Sequence, residues 1–396
     1  MITLVEALGF RSLRYISQPL GPFHVLVGPN ASGKTTFLDV IAFLGRLISD
    51  GVEAAVGDRT QNFYDLLWQR KGQRFELAIE ARVGEFDTIR YEVALGVGED
   101  DQEFGLQAER VFLLAGGHRA FPEEGLFPES VKVPATLYKK ADRLILGREK
   151  EDTILFLLES RDPIDLEFEP GTSALATLHP VDKSLSMLKD LLTTGVQQLV
   201  LNSLLLRKPS PPGQPRGFKP DGSNLPWVIA DLEKRSPERL TQWIAHLQTA
   251  FPDIEGITTI ERPEDRHRYL MVRYRGGIEV PSWMISDGTL RMLALTLPAY
   301  LPDLEGIFLI EEPENGIHPR AIETVYQSLS SVYGAQVLLA THSPIILNLV
   351  EAEQVLCFAK TPEGATTIVR GSEHPALAEW RKETNLGLLF AAGVLG

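Results

Sequence analysis

The ten residues GPNASGKTTF, Gly28–Phe37, follow the short apolar run FHVLVG. They fit the template G-x-x-x-x-G-K-[ST], with Gly28, Gly33, Lys34 and Thr35 in the fixed places. No other stretch restricts the fold as much, because the template works only between a buried strand and a helix. Phe23–Val27 supplies the strand, and a helix is expected from the loop to about Ile48. In that setting Gly28, Pro29, Asn30, Ala31, Ser32 and Gly33 wrap a β-phosphate against the helix N-terminus. Lys34 reaches the β- and γ-phosphates, the Thr35 hydroxyl binds Mg²⁺, and Thr36 completes the loop. A chance match on a glycine-rich turn would not bring the flanking strand and helix with it. Kinases, GTPases, motors and transporters all share the template, so it leaves open what is done with the nucleotide.

Three further stretches narrow the choice. In IFLIEEPENGIHP an apolar strand ends in two adjacent carboxylates, Glu311 and Glu312. Successive strand residues face opposite ways, so the two acids are expected to divide their work. Glu311 is assigned to the Mg²⁺ shell, and Glu312 to orienting and deprotonating the attacking water. In QVLLATHSP a second apolar strand ends in His342, placed to hydrogen-bond a γ-phosphate. In ISDGTLRML, Ser286 is expected to cap a helix whose first turn holds Gly288, leaving N–H groups for an anion. Singly, an acidic strand end, a strand-end histidine and a Ser-x-Gly helix start are common structural features. Together with the phosphate loop they form a set.

That ordered set resembles the ATP-binding-cassette (ABC) ATPases, and within them the SMC, RecF and OLD branch. The opening ALGFRSL and the ending LGLLFAAGVLG are similar to those of stand-alone ATPases of the group. The resemblance covers about Met1–Val83 and Pro281–Gly396. It implies an α/β fold: a P-loop NTPase head of ABC type with an antiparallel β lobe and a helical insertion. It also implies Mg²⁺-dependent ATP hydrolysis in a homodimer formed on ATP. Ser286 and Gly288 of one subunit would complete the partner's phosphate site, and Asn315 would lie in the loop that meets its twin. Arg11 and Ser12 would line the α-phosphate. Glu311 stands where aspartate is usual, and Asp287 where many relatives have glycine. The lid glutamine is left open between Gln61, Gln107 and Gln198. About fifty residues follow His342, too few for a Toprim nuclease domain, so a nuclease or other effector is expected as a separate protein.

The rest of the chain sets bounds. Its 396 residues are 44% hydrophobic and 23% charged, with net charge −14. That charge argues against coating nucleic acid indiscriminately, while leaving DNA open as a partner. Two stretches run against it: Arg207–Lys219 has four basic residues and no acid, and Arg262–Arg275 has five arginines against Glu264 and Asp265. They read as a solvated loop and a strand edge. The single cysteine, Cys357, excludes an internal disulfide framework. With no export leader and no apolar run of about 20 residues, a cytoplasmic protein without membrane contact is expected.

Three consecutive blocks are expected. Residues 1–130 form an ATPase lobe, in which RFELAIEARV, TIRYEVALGV and ERVFLLAGG are antiparallel strands with one wet face. Residues 131–260 form an insertion with the Pro/Gly-rich loop Arg207–Pro226 and a helix begun by Ser236-Pro237. Residues 261–396 form a second ATPase lobe with a parallel sheet. The helices are too short for a coiled-coil arm. The rival readings are a nucleotide-gated scaffold that hardly hydrolyses and the nucleotide-binding subunit of a transporter. A genome-maintenance or anti-phage role rests on the resemblance alone.

Overall fold

The computed structural model describes residues 1–84, 87–98, 103–114, 133–137, 143–149, 152–155, 164–165, 171–177 and 183–374. The ending LGLLFAAGVLG lies outside them. They cluster in two compact units, Met1–Val196 with the described residues from Ala352 on, and Gln197–Glu351. This division differs from three consecutive blocks because the chain returns to its beginning. Strand β16 (Val355–Lys360) pairs in parallel with β3 (Phe23–Val27), Val355 opposite Val25 and Cys357 opposite Val27.

In the first unit an eight-stranded antiparallel sheet runs in the order β2-β1-β4-β5-β6-β7-β8-β9. Its strands are β1 (Ile2–Phe10), β2 (Leu13–Pro19), β4 (Arg74–Val83), β5 (Asp87–Val97), β6 (Phe104–Leu114), β7 (Arg143–Glu149), β8 (Asp152–Leu155) and β9 (Ile164–Asp165). Phe10, Phe75 and Phe43 pack edge to face or tilted, 5.0 to 5.8 Å between ring centres, joining β1 and β4 to helix α1 (Lys34–Gly57). That helix runs past Ile48. It breaks its regular geometry at Gly51, φ +85°, where the Val52 N–H bonds Gly171 O instead.

The expected wet face is dry at its centre, a correction: Glu6, Glu76, Arg90 and Glu92 are buried, while Arg74 and Arg82 toward the ends of β4 are exposed. Arg90 pairs with Glu6, Glu80 and Glu92, and Glu76 accepts from the Thr136 hydroxyl and the Leu137 N–H. Burial alone would lower the Arg90 pKa, but Glu6 and Glu92 outweigh it and hold the guanidinium above its ordinary value. Alternation of apolar and charged residues locates the two faces except at Glu109, which lies opposite Val93 on the apolar face and accepts from Ser173 and Ala174. Partner charges rather than water cover the middle of the second face. A smaller sheet in the same unit adds β17 (Thr366–Arg370) antiparallel to β16. Helices α2 (Ala174–Thr177) and α3 (Lys183–Thr193) complete it.

The second unit has β14 (Gly306–Glu311) parallel to β15 (Ala335–Ala340), joined by α8 (Pro319–Ser330), as the βαβ pattern predicts. Strand β10 (Val196–Leu199) lies beside β14. Strands β11 (Ile254–Glu261), β12 (Arg268–Tyr274) and β13 (Ile278–Pro281) form an antiparallel sheet. Around them pack α4 (Ser203–Arg207), α5 (Leu225–Arg235), α6 (Pro237–Ala250), α7 (Asp287–Thr296) and α9 (Pro344–Leu347).

Helix α6 buries Leu240, Trp243 and Leu247, and Trp243 Nε1 donates to Thr296 Oγ1 at 2.8 Å. Ser236 precedes this helix without a side-chain capping bond, so Pro237 at its first position marks the start. Arg207–Pro226 is mainly loop but not a free linker: Phe218 and Asn224 are buried, and Asn224 Nδ2 donates to Pro215 O and Gly217 O. Strand β12 is central in its sheet rather than at an edge. Its Arg268 pairs with Glu261 and covers the Trp227 ring at 4.6 Å. Among the described residues no helix is long and apolar enough to cross a membrane.

Candidate functional site

In the first unit the phosphate loop leaves β3 and enters α1 at Lys34. Gly33 takes φ +109°, and a Cβ there would stand 2.2 Å from Thr366 Oγ1, so the position admits only glycine. Thr366 supports the loop from β17. Its hydroxyl donates to Ser32 O at 2.8 Å and can accept from the Ser12 hydroxyl at 3.0 Å, and its N–H donates to Ser12 O. Ser12 therefore sits against the loop. Arg11, in left-handed backbone at φ +51°, gives its guanidinium to Asp39 on α1 at 3.0 Å. Arg59 binds the same carboxylate.

Lys34 is buried, and its Nζ donates to Gly28 O at 2.8 Å and Pro29 O at 3.1 Å. Pro29, Asn30, Ala31 and Thr35 are exposed, Thr36 is half-buried, and Ala31 is in left-handed backbone at φ +62°. Ser32 Oγ is buried without a hydrogen-bond partner among the described residues, a polar atom left over inside the cradle. Behind the loop, His24 Nε2 accepts from the Gly21 N–H at 2.7 Å, so its proton is on Nδ1, which donates to Gln354 O. Burial lowers its pKa to about 4.

In the second unit Glu311 is the last residue of β14, half-buried, with Gln198 Nε2 3.5 Å from its Oε1. Of the three lid candidates, Gln198 is thus beside the acid, while Gln107 donates to Val97 O inside its own sheet and Gln61 is exposed. Glu312 is not a strand residue facing the other way, as alternation suggested. It lies beyond the strand at φ +47°, its N–H donating to Ala340 O at 2.8 Å and its carboxylate accepting from Asn315 Nδ2. A turn, not the pleat, separates the two acids.

His342 follows β15, half-buried, with its N–H donating to Glu314 Oε1 at 3.0 Å. Ser286 caps α7, its oxygen accepting from the Thr289 N–H. Asp287 is pinned by Arg207 at 2.6 Å. A Cβ on Gly288 would stand 2.6 Å from Gly316 O, so this glycine lets α7 press against the turn that carries Glu312 and Asn315.

Sequence reasoning passed over Thr366, Glu314 and Arg207. Glu314 stood in the quoted EEPENG, where one more acid in a polar loop reads as solvated. Arg207 stood in the basic stretch read as a solvated loop, and Thr366 left no signal, since only the fold brings them to the helix start and the loop.

Among the described residues no group of three or more His, Cys, Asp or Glu could cage a metal. The Thr35 hydroxyl in the first unit and, in the second, the Glu311 carboxylate and the Gln198 amide are each hard oxygen donors. They suit Mg²⁺, which takes one or two carboxylates and completes its shell with phosphates and water.

The fold resembles that of SMC head domains of the ABC-type ATPases. The chain belongs to the family described as "AAA domain, putative AbiEii toxin, Type IV TA system", whose model matches residues 23–348. No curated protein matches it. Among solved structures it is similar to an SMC head bound to the C-winged helix domain of ScpA. There the TM-score is 0.55 and identity 14%, over 93% of this chain and 97% of that one. An SMC head with an extended coiled coil, bound to the C-terminal domain of ScpA derived from Pyrococcus furiosus, gives 0.48 at 12% identity over 93% and 95%. The SMC head domain from Thermotoga maritima gives 0.44 at 11% over 93% and 98%. Identities this low speak to fold alone.

Proposed function

We propose that this chain is a Mg²⁺-dependent ATP hydrolase that dimerises on ATP and whose turnover gates a separate effector. Lys34 and the loop Gly28–Thr36 hold the triphosphate, with Ser12 and Arg11 beside the loop. Bound Mg²⁺, taken by Thr35 and Glu311 with Gln198 as the lid glutamine, would neutralise charge developing on the phosphates. Glu312 takes the proton of the attacking water, and His342 donates to the γ-phosphate. Ser286 and Gly288 serve the nucleotide of the other subunit, and Asn315 meets its counterpart across the dimer.

The observation that carries hydrolysis, rather than binding alone, is the conformation of Glu312. A non-glycine residue in left-handed backbone costs of the order of 1 kcal/mol or more, and such strain clusters at functional sites. Here it is held by the Ala340 carbonyl and Asn315. Mg²⁺-ATP turnover measured by phosphate release tests the reading. Native protein should release phosphate and Glu312→Gln should bind ATP without doing so. Native protein that binds ATP and releases none would be a nucleotide-gated scaffold. Dimer formation is tested by light scattering of Glu312→Gln at micromolar concentration with saturating Mg²⁺-ATP. A monomer there removes the shared site. An effector, in genome maintenance or in defence, is sought by co-purification from the native host.

A further inference from the structure

Past β15 the chain runs through Thr341, His342 and Ser343 before α9 begins, with no strand or helix of its own. Its last main-chain link to the acid turn is the Glu312 N–H bond to Ala340 O. Beyond it, one side chain takes over. Glu314 Oε1 accepts from the Thr341 hydroxyl at 2.6 Å and from the His342 N–H at 3.0 Å. The first distance is that of a charge-assisted O–H···O⁻ bond. The same hydroxyl accepts from the Ser343 N–H at 2.9 Å, so three consecutive residues hang on one carboxylate. Thr341 is fully buried, and water does not replace that acceptor. Two donors converge on Oε1, while Oε2 is buried with no hydrogen-bond partner among the described residues. A carboxyl kept for packing alone would have both oxygens satisfied. This one is spent on one short segment, the Thr341 hydroxyl and the His342 N–H.

We propose that Glu314 is a positioning residue for hydrolysis, holding the His342 backbone so that the imidazole keeps its reach to the γ-phosphate, and coupling that reach to the turn bearing Glu312. The inference rests on the hydrolysis reading above. Glu314 touches no reacting atom and acts through His342.

The test uses the full chain with Glu314→Ala, Glu314→Gln, His342→Ala and the double variant Glu314→Ala/His342→Ala. Misplacement by about 1 Å can cost up to ~10²-fold in rate. Glu314→Ala should therefore lower kcat by about 10-fold or more, with KM for ATP nearly unmoved. Glu314→Gln, whose amide oxygen still accepts, should recover most of the loss. The double variant should be no slower than His342→Ala alone, the non-additivity expected of groups acting as one. An unchanged kcat in Glu314→Ala, or losses that multiply in the double variant, overturns the proposal. Should Glu314→Ala fail to fold, Thr341→Val removes one donor at constant shape and is held to the same kcat criterion. Amide hydrogen exchange without nucleotide separates this proposal from the hydrolysis reading. The His342 and Ser343 amides should exchange faster in Glu314→Ala than in native protein or Glu314→Gln. Equal exchange rules out the tether even if native protein hydrolyses ATP. Faster exchange in a protein without turnover keeps the tether and discards the hydrolysis reading.

Discussion

The phosphate loop and the acid turn are both short, glycine-containing bends at the end of a buried strand, yet they are held in different ways. The loop is fixed by main-chain geometry and close approach: Gly33 has no space for a Cβ beside Thr366, and Lys34 folds back onto the loop's own carbonyls. The acid turn has main-chain bonds too, from the Glu312 N–H to Ala340 O and the Asn315 N–H to Glu312 O, but its further ties are side chains, with Asn315 on Glu312 and Glu314 on Thr341 and His342. A bend made of backbone is broken by adding atoms. A bend made of side-chain hydrogen bonds is broken by removing them.

The largest expected effect tests the loop's charge rather than its shape. Lys34→Ala should abolish nucleotide binding, measured by calorimetry with Mg²⁺-ATP, because the β,γ-phosphates lose their principal counter-charge. Unchanged affinity would sink the assignment. Next comes the acid turn. Glu312→Gln should retain binding and lose about 10²-fold or more in turnover, the usual scale for a general base. If Glu311→Gln gives that trapped state and Glu312→Gln turns over normally, the roles of the two acids are exchanged.

The third effect is on stability. Unfolded chain protonates His24 near pH 6.5, while the folded first unit keeps it neutral down to about 4. The unfolded state thus binds the extra proton in that window, and stability falls as pH drops through it, by up to about 3 kcal/mol. Urea unfolding of native protein and His24→Asn across pH 4–7 should show a shallower acid loss in the variant. Equal slopes would place the acid sensitivity elsewhere.

The smallest effect returns to the comparison. Gly288→Ala adds one carbon against Gly316 O, an overpacking expected to cost about 1–3 kcal/mol, read as a lowered denaturant midpoint. It should also slow turnover, since the Cβ pushes on the turn bearing Glu312. A variant as stable and as active as the native protein would show that α7 and the turn move apart freely.

Much of the site was legible because its chemistry is local. Strand, glycines, lysine and threonine are contiguous in Gly28–Thr36, and β14, α8 and β15 announced themselves by apolar runs separated by a helical period. What misled was the inference from neighbours in sequence to neighbours in space. The alternation rule gave Glu312 a strand geometry it lacks, and charged residues on β4 to β6 were assigned to water although Glu76, Arg90 and Glu92 are buried together with Glu6, and Glu109 on the opposite face. Periodicity reports which face a side chain occupies. It does not say what covers that face.

The sequence by itself determined the phosphate loop, the order of acid strand and histidine strand, and the Ser286 cap. In each of these the interacting groups lie within a few residues and follow from φ preferences and hydrogen-bonding reach. Only the tertiary structure decided that Thr366, more than 300 positions away, supports Ser32. It alone set Gln198 beside Glu311, pinned Asp287 with Arg207, and gave His342 its carboxylate tether. The physical reason is common to all four. A single polar pair at long separation leaves no periodic trace in a sequence, because its partner is chosen by where packing brings two strands or helices together.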